Sequence, residues 1–311
     1  VHEKVLQLQE NVEKVIRGKE ETIRLCIIAL LARGHILIED VPGVGKTTLA
    51  RCLAKSLNCS FNRIQFTSDL LPSDILGVSI YNQEKTRFEF KPGPLFANVV
   101  LVDEINRATP KTQSSLLEAM NEFQISVDSR TYPLAKPFLV LATQNPLEFH
   151  GTFPLPESQL DRFLMQIRMG YPDAGQEREI MRFHDISEMV EGLDPVLDAS
   201  EVISMQEAVT GVRVEPAIED YILALVQATR AAPGVRLGAS PRATQVLYRA
   251  VQALAFTEGR QYCIPDDVKT LVVPILAHRI VSRSTSGGLL PQYDENRNAI
   301  LRILEEVPVP L

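Results

Sequence analysis

The chain has 311 residues, 45% of them hydrophobic and 23% charged, and a net charge of −7. At roughly 100–200 residues per domain, this length predicts two domains with ample chain for a core. No apolar run reaches the ~18 residues that a bilayer span needs, so no membrane insertion is expected. The acidic balance argues against the basic stripe with which nucleic-acid binders neutralise phosphates.

The opening Val-His-Glu-Lys lacks the basic-then-apolar pattern of a signal peptide, and a chain that starts on Val is expected to be processed or trimmed. The apolar stretch Leu25 to Leu31, flanked by Arg24 and Arg33, predicts a buried helix. Five strand candidates follow: His35–Glu39, Asn62–Phe66, Asn98–Val102, Phe138–Ala142 and Leu164–Arg168. They are apolar on both faces and alternate with helical segments, which predicts a parallel sheet covered on both sides. From Lys46 to Asn58, Leu49, Leu53 and Leu57 form one helix face. Two stretches break the alternation, a polar-aromatic hairpin over residues 79–94 and a strand-turn-strand over 123–136 with Asp128-Ser129 in its turn. After Gly170-Tyr-Pro172 the pattern is helical, with candidates at Arg178–Phe183, Pro216–Ala231, Pro241–Phe256 and Pro265–Ile280. Ser282 to Asn298, rich in Ser, Gly and Asn, is expected to be a loop before a short helix over Asn298–Glu306. The predicted organisation is an α/β core over 1–170 with two hairpin inserts, then an all-helical domain over 171–311. The four cysteines (Cys26, Cys52, Cys59, Cys263) follow no metal-ligand spacing and read as reduced thiols in a cytoplasmic protein.

Pro42-Gly-Val-Gly-Lys-Thr47 lies between the first strand and the Leu-striped helix. Gly43 and Gly45 let the backbone turn its N–H groups inward, and the helix N-terminus adds a positive dipole end. Lys46 would reach the β- and γ-phosphates of ATP, and the Thr47 hydroxyl would ligate Mg²⁺. Asp40 stands where the general P-loop pattern has Gly. Val99-Val-Leu-Val-Asp103-Glu104 is a buried strand ending in two carboxylates, which rarely happens without a cation nearby. Asp103 would hold Mg²⁺, and Glu104 would orient the attacking water and accept its proton. Asn145 ends the fourth strand, where it either bonds the γ-phosphate or attacking water or starts an Asn-Pro turn. Arg162 is a candidate cation for the transferred phosphoryl group, against the alternative of a surface ion pair with Asp161 or Glu157. Arg242 sits in the first turn of a helix capped by Ser240-Pro241, an unfavourable place for a cation unless it points to solvent or an anion lies nearby.

This order of motifs resembles that of an AAA+ ATPase over nearly the whole chain. Glu39-Asp-Val-Pro-Gly-Val-Gly-Lys-Thr47, Arg63-Ile-Gln-Phe66, Leu70-Leu-Pro-Ser-Asp-Ile-Leu-Gly77, Pro92-Gly-Pro-Leu-Phe96, Asp103-Glu-Ile-Asn-Arg-Ala108, Ala142-Thr-Gln-Asn-Pro146 and Leu160-Asp-Arg-Phe163 together resemble the MoxR family, in which Asp40 is at home. The resemblance implies that Asn145 is the sensor 1 residue, Arg242 the sensor 2 residue and Arg162 an arginine finger acting on a neighbouring subunit's ATP. It also implies an adenine pocket at Val15, Ile16 and Gly18, and nucleotide contacts from Pro42, Val44 and Thr48 along the phosphate loop. The two hairpins would be the helix-2 insert and the pre-sensor-1 hairpin, facing a ring pore or its rim. A hexameric ring is implied, acting as a chaperone-like motor that matures or activates client proteins, often metal-cofactor enzymes, with von Willebrand factor A domain partners.

Three other functions share parts of this pattern. A metal-chelatase motor subunit has the same inserts. A DNA-translocating motor would want basic hairpins, yet the first holds three cations against two carboxylates and the second two against one. A nucleotide-gated scaffold would have no use for Glu104 as a base.

Overall fold

The computed structural model describes residues 2–128, 130–145, 151–181, 185–283 and 292–310. The chain opens on two helices, α1 (His2–Glu13) and α2 (Glu20–Leu31). The apolar run between Arg24 and Arg33 is the predicted buried helix, with Ile23, Ile27, Leu30 and Leu31 inside. No helix was expected at α1, although Val5, Leu8 and Val12 share its buried face at helical spacing.

The α/β part then runs β1 (Ile36–Glu39), α3 (Lys46–Ser56), β2 (Phe61–Gln65), α4 (Pro72–Leu76), β3 (Gly77–Asn82), β4 (Arg87–Pro92), β5 (Val99–Asp103), α5 (Pro110–Glu122), β6 (Gln124–Val127), β7 (Arg130–Pro133), β8 (Leu139–Gln144), α6 (Glu157–Leu160) and β9 (Met165–Ile167). Five of these strands form one parallel sheet in the order β2-β5-β8-β1-β9. Each central strand is buried on both faces. Val99 and Leu101 join one core cluster while Val100 and Val102 join the other, which is the alternation a two-sided sheet requires. Parallel register pairs Gln65 with Asp103 and Glu39 with Gln144. The carboxyl ends of β2, β5, β8 and β1 therefore finish at one edge, where ligands collect in such sheets.

The two inserts are the antiparallel pairs β3–β4 and β6–β7, and they touch: Phe90 stacks on Tyr132 at 4.0 Å between ring centroids. Asp128 has φ +49 in the second turn, and Ser129 lies outside the described residues.

Beyond residue 170 come α7 (Ala174–Ile180), α8 (Ile186–Glu191), α9 (Ala199–Val209), α10 (Pro216–Ala231), β10 (Val235–Leu237), α11 (Pro241–Thr257), α12 (Pro265–Leu276), β11 (Val281–Ser282) and α13 (Gln292–Glu306). The lid is helical apart from the short antiparallel ribbon β10–β11. The helix expected over 178–183 starts earlier, at Ala174, because Asp173 caps it and Gln176 returns the bond; Phe183 lies outside the described residues. The loop expected through Asn298 is corrected: α13 already begins at Gln292, while 284–291 lie outside the described residues. Its Asn296 is buried and bonds Ala277 O, Ile280 O and Ser282 N–H, so a polar residue that suggested a loop is an internal staple. The larger core cluster is continuous from α1 and α2 across one sheet face into α9–α12.

Candidate functional site

Six loop residues, 40–45, separate β1 from α3. Gly43 and Gly45 have φ of +87° and +94°, left-handed conformations that a side chain would strain. A Cβ at Gly43 would meet nothing within 4 Å, so the loop backbone faces open space above the N-terminus of α3. Lys46 reaches back into this loop and donates to Asp40 O and Val41 O, both at 2.9 Å. Burial lowers its pKa, while the carboxylates of Asp40, Asp103 and Glu104 pull it back up.

Asp40 now has a structural role. Its Oδ1 accepts from the Val41 N–H at 2.8 Å, and its Oδ2 accepts from Met169 and Gly170 N–H at 2.7 and 2.6 Å. A glycine there would leave the phosphate loop untied from the strand exit that leads to the lid.

Asp103 ends β5 beside this loop. Its Oδ1 accepts from Thr143 Oγ1 at 3.2 Å and its Oδ2 from Arg63 Nε at 2.6 Å. Thr143 also accepts the Glu104 N–H at 2.9 Å, fixing the backbone of the second carboxylate, which sits at φ +57°. The Glu104 carboxylate pairs with Arg107 at 2.9 Å. One cavity of about 330 Å³ is lined by Pro42, Gly43, Gly45, Lys46, Thr47 and Thr48 together with Asp103, Glu104 and Asn145. The strand-end carboxylates, the loop and the amide thus share one site.

Arg63, Gln65 and Thr143 line the same cavity and were given no role from sequence. The sequence signal went only part of the way: Arg63 and Gln65 are two apart on a strand and so share a face, but that this strand pairs with the one carrying Asp103 is read from the structure.

A neighbouring cavity of about 130 Å³ has Val15, Ile16, Val44, Ile180 and Ile186 in its wall and shares Gly43, Gly45 and Thr48 with the first. Its apolar lining suits a flat base. Gly18 is not on that wall. It has φ +65° and lies so close to the Gln176 side chain that any Cβ would collide with it.

Arg162 and Arg242 lie elsewhere. Both line a third cavity, of about 250 Å³, with Arg33 and Arg249, and none of its lining residues also lines the phosphate cavity. Arg162 Nη1 donates to Leu117 O at 3.0 Å, and Arg242 Nη2 to Asn121 Oδ1 at 2.5 Å. Of the two alternative partners expected for Arg162, Asp161 is taken: it pairs instead with Arg279 at 2.8 Å and accepts from Ser240 Oγ at 2.9 Å. Ser240 stands at the N-cap of α11, but its hydroxyl makes this bond and caps nothing. Gly34 and His35, before β1, line the arginine cavity, whereas Asp40, after β1, lines the phosphate cavity. From His35 to Glu39 the strand spans about 13 Å at ~3.3 Å per residue, so the two cavities lie at opposite ends of the sheet.

Burial pushes the Cys26, Cys52 and Cys263 thiols up to about 12 and Cys59 to about 11, so all four are held protonated and unreactive.

Residues 35–165 match the ATPase family associated with various cellular activities, and residues 227–298 match the AAA lid domain. An uncharacterized protein, YeaC, of Bacillus subtilis is 51% identical over 88% of this chain and 85% of that protein. The chaperone MoxR1 of Mycobacterium tuberculosis is 41% identical over 96% of this chain and 81% of that protein. The crystal structure of a putative ATPase from Cytophaga hutchinsonii superposes with a TM-score of 0.89 at 40% identity, covering 100% of this chain and 96% of that one. With the phosphate loop, the strand-end carboxylates and the five-stranded sheet already in place, these similarities establish that the chain belongs to the MoxR family of AAA+ ATPases.

Proposed function

We propose that this chain is a ring-forming, Mg²⁺-dependent ATPase that remodels or matures client proteins together with a von Willebrand factor A domain partner. The observation that carries the ring is the separation of the arginines from the phosphate loop. Arg162 and Arg242 sit at the far end of the sheet, with Arg33 and Arg249 and no carboxylate in the cavity wall. They are too distant to serve their own subunit's phosphates. A cavity with four guanidinium groups calls for an anion, and in a closed head-to-tail ring the neighbour's bound ATP supplies one. A hexamer is the ring size we propose.

The residues fit ATP and Mg²⁺. Left-handed glycines open the loop, a helix N-terminus faces it, and Thr47 and Asp103 offer the hard oxygen donors that Mg²⁺ takes. Mg²⁺ bound there would neutralise charge on the phosphate oxygens. Lys46 and the loop N–H groups would hold the phosphates, with the base against Val15, Ile16 and Val44. Glu104 would accept the proton of the attacking water, and Asn145 would orient that water or the γ-phosphate. Thr143 positions Glu104 through its backbone N–H.

The client role is supported by a relative that is named a chaperone, while the von Willebrand factor A domain partner rests on the family resemblance alone. The hairpins support a protein client over DNA. Glu89 pairs with both Lys85 (2.8 Å) and Arg87 (3.1 Å), so two of the first hairpin's three cations are engaged within the hairpin. The bond from Lys85, then that from Asn82, with a smaller share from Arg87, holds the Glu89 carboxyl down at about 2. Val78, Ile80, Tyr81 and Phe88 stay exposed on the same hairpin. We place the protein in the cytoplasm, where four unpaired thiols persist. Among the described residues no helix is long and apolar enough to cross a membrane.

The test is a Glu104→Gln chain. It keeps the size of the side chain but cannot accept a proton, so ATP should bind and stay while turnover falls about 10²–10⁴-fold. Captured in that ATP-held form, it should retain a von Willebrand factor A domain protein. Normal turnover removes Glu104 from the mechanism, and retention of a chelatase subunit or of DNA replaces the client assignment.

A further inference from the structure

Arg63 places a guanidinium inside the phosphate cavity, on the carboxylate proposed to hold the metal. The contact is short, with Nε 2.6 Å from Asp103 Oδ2. It is not a packing contact: half of the Arg63 side chain, 52%, is exposed, against 10% for Asp103. The remaining guanidinium nitrogens make no comparable bond among the described residues, the other contact being a long one of 3.5 Å to Gln65 Oε1. Oδ1 of the same carboxylate is already occupied by the Thr143 hydroxyl. Asp103 therefore faces the cavity with both oxygens engaged by protein donors.

We propose that Arg63 competes with the divalent cation for Asp103, so that metal entry requires the guanidinium to swing from the carboxylate to the arriving phosphates. This rests on the reading of the cavity as a Mg·ATP site.

The competition follows from geometry and charge. Mg²⁺ requires ligand oxygens at about 2.0–2.1 Å in near-octahedral directions, and a guanidinium nitrogen 2.6 Å from Oδ2 occupies one of that oxygen's two lone pairs and crowds the approach to the other. A +1 and a +2 ion on one carboxylate also repel at a few ångströms, where a cavity wall screens less than bulk water. The cavity offers a second place for Arg63 to go. Its wall holds the carboxylates of Asp40, Asp103 and Glu104 against only Lys46 and Arg63 as cations, so bound triphosphate adds negative charge where two cations already point. Arg63 on a flexible, half-exposed stem can move to those oxygens without disturbing the sheet. In this arrangement it is a positioning residue: it keeps Asp103 paired until nucleotide and metal arrive together.

The experiment titrates MgCl₂ into the full chain with a non-hydrolysable ATP analogue, at constant ionic strength, and reads metal binding by calorimetry, with Mn²⁺ in place of Mg²⁺ for a spectroscopic check. Arg63→Gln removes the competitor and should lower the half-saturating metal concentration about three- to tenfold, the range expected for a partly exposed ion pair with one buried partner. Arg63→Lys, which keeps the charge, should fall between the two. In an Asp103→Asn background the Arg63→Gln change should shift the metal midpoint by less than about twofold, because the shared carboxylate is gone. An unchanged or raised midpoint in Arg63→Gln, with an unaltered melting temperature, overturns the competition, as does a full shift that persists in the Asp103→Asn background. If the native chain takes up no analogue at any metal concentration, the nucleotide-site reading itself fails, a separate result from the first two.

Discussion

His35 sits at the amino end of β1 with its ring between Phe123 and Phe138, at 5.8 and 5.4 Å between centroids. Its Nδ1 accepts the Val140 N–H at 3.0 Å, so the proton is on Nε2, which donates to Met120 O at 3.0 Å. Burial lowers its pKa to about 4, the Met120 bond pulls the other way, and the charge on Arg242 adds to the lowering. The imidazole is therefore a neutral hydrogen-bond bridge between β8 and α5, and its position near Arg33, Arg162 and Arg242 makes a second positive charge there unwelcome. The unfolded chain binds this proton near pH 6.5, whereas the folded chain binds it only near 4. Between those values the unfolded state holds more protons, so stability rises with pH and is lost as pH falls through the window. Two and a half units correspond to about 3 kcal/mol at most. Buried His278, whose pKa is also pushed down by burial, adds in the same direction. Denaturant midpoints measured from pH 7 to pH 4 should fall across this window. They should fall less steeply in His35→Gln, which keeps a donor and an acceptor without titrating. An equal pH slope in that variant would remove His35 from the acid sensitivity.

Arg279 follows the last turn of α12 and ties it through one side chain to the segment between α6 and β9. It is 1% exposed, and burial lowers its pKa to about 10 against the raising effect of Asp161. Nε donates to Asp161 Oδ1 at 2.8 Å, Nη1 to Leu164 O at 2.9 Å, and Nη2 to Phe163 O. Asp161 in turn accepts from Ser240 at the start of α11. The segment carrying Arg162 is thus clamped to the lid from both neighbouring positions. Replacing Arg279 by Met leaves the largely buried Asp161 carboxylate and the Phe163 and Leu164 carbonyls without their donor, which typically costs about 3–5 kcal/mol. Chemical denaturation at neutral pH should show that loss, and a change below about 1 kcal/mol would mean that the pair behaves as a surface bridge. None of this clamp was visible in the sequence, where Asp161 looked like a partner for its neighbour Arg162. Sequence spacing reports what is local, and Arg279 is 118 residues away. The same limit explains the other differences at this scale. α10, with Pro at its first position and one apolar face, was predicted to the residue, Pro216–Ala231. Strands β1, β5 and β8 were found because each is a dense apolar run, whereas β2 carries Arg63 and Gln65 and is marked by Ile64 and Phe66 alone. The ribbon β10–β11 was missed because three residues and two carry no readable period. The start of α13 was missed because Asn296 acts through distant carbonyls. In the site, the phosphate loop, Asp103, Glu104 and Asn145 were legible because strand ends in a parallel sheet must converge. Arg63 on Asp103 was not, since nothing in a lone strand says which neighbour it will pair with.

The molecule carries its phosphate cavity and its arginine cavity at opposite ends of β1, so in the ring proposed above the active site would be completed by the phosphate loop of one subunit and the arginines of the next. A heterologous contact of this kind closes into a ring if the rotation closes. The consequence is measurable. Arg162→Ala should bind ATP nearly as the native chain does, because Arg162 does not line its own phosphate cavity, yet it should hydrolyse poorly. A cation acting in trans on the transferring phosphate contributes about 10³–10⁵ in rate. Native specific activity should also rise with protein concentration as subunits assemble. The deciding measurement mixes Arg162→Ala with Lys46→Ala, each inactive alone. At equal proportions about a quarter of the junctions in a head-to-tail ring place an intact Lys46 loop against an intact Arg162, so a corresponding fraction of activity should return. If Arg162 served its own subunit, no junction would hold both residues and mixing would restore nothing. Mixed rings that form but stay inactive would therefore overturn the trans assignment, and Arg162 would be left with the contact the structure already shows, a donor to Leu117 O that ties α6 to α5.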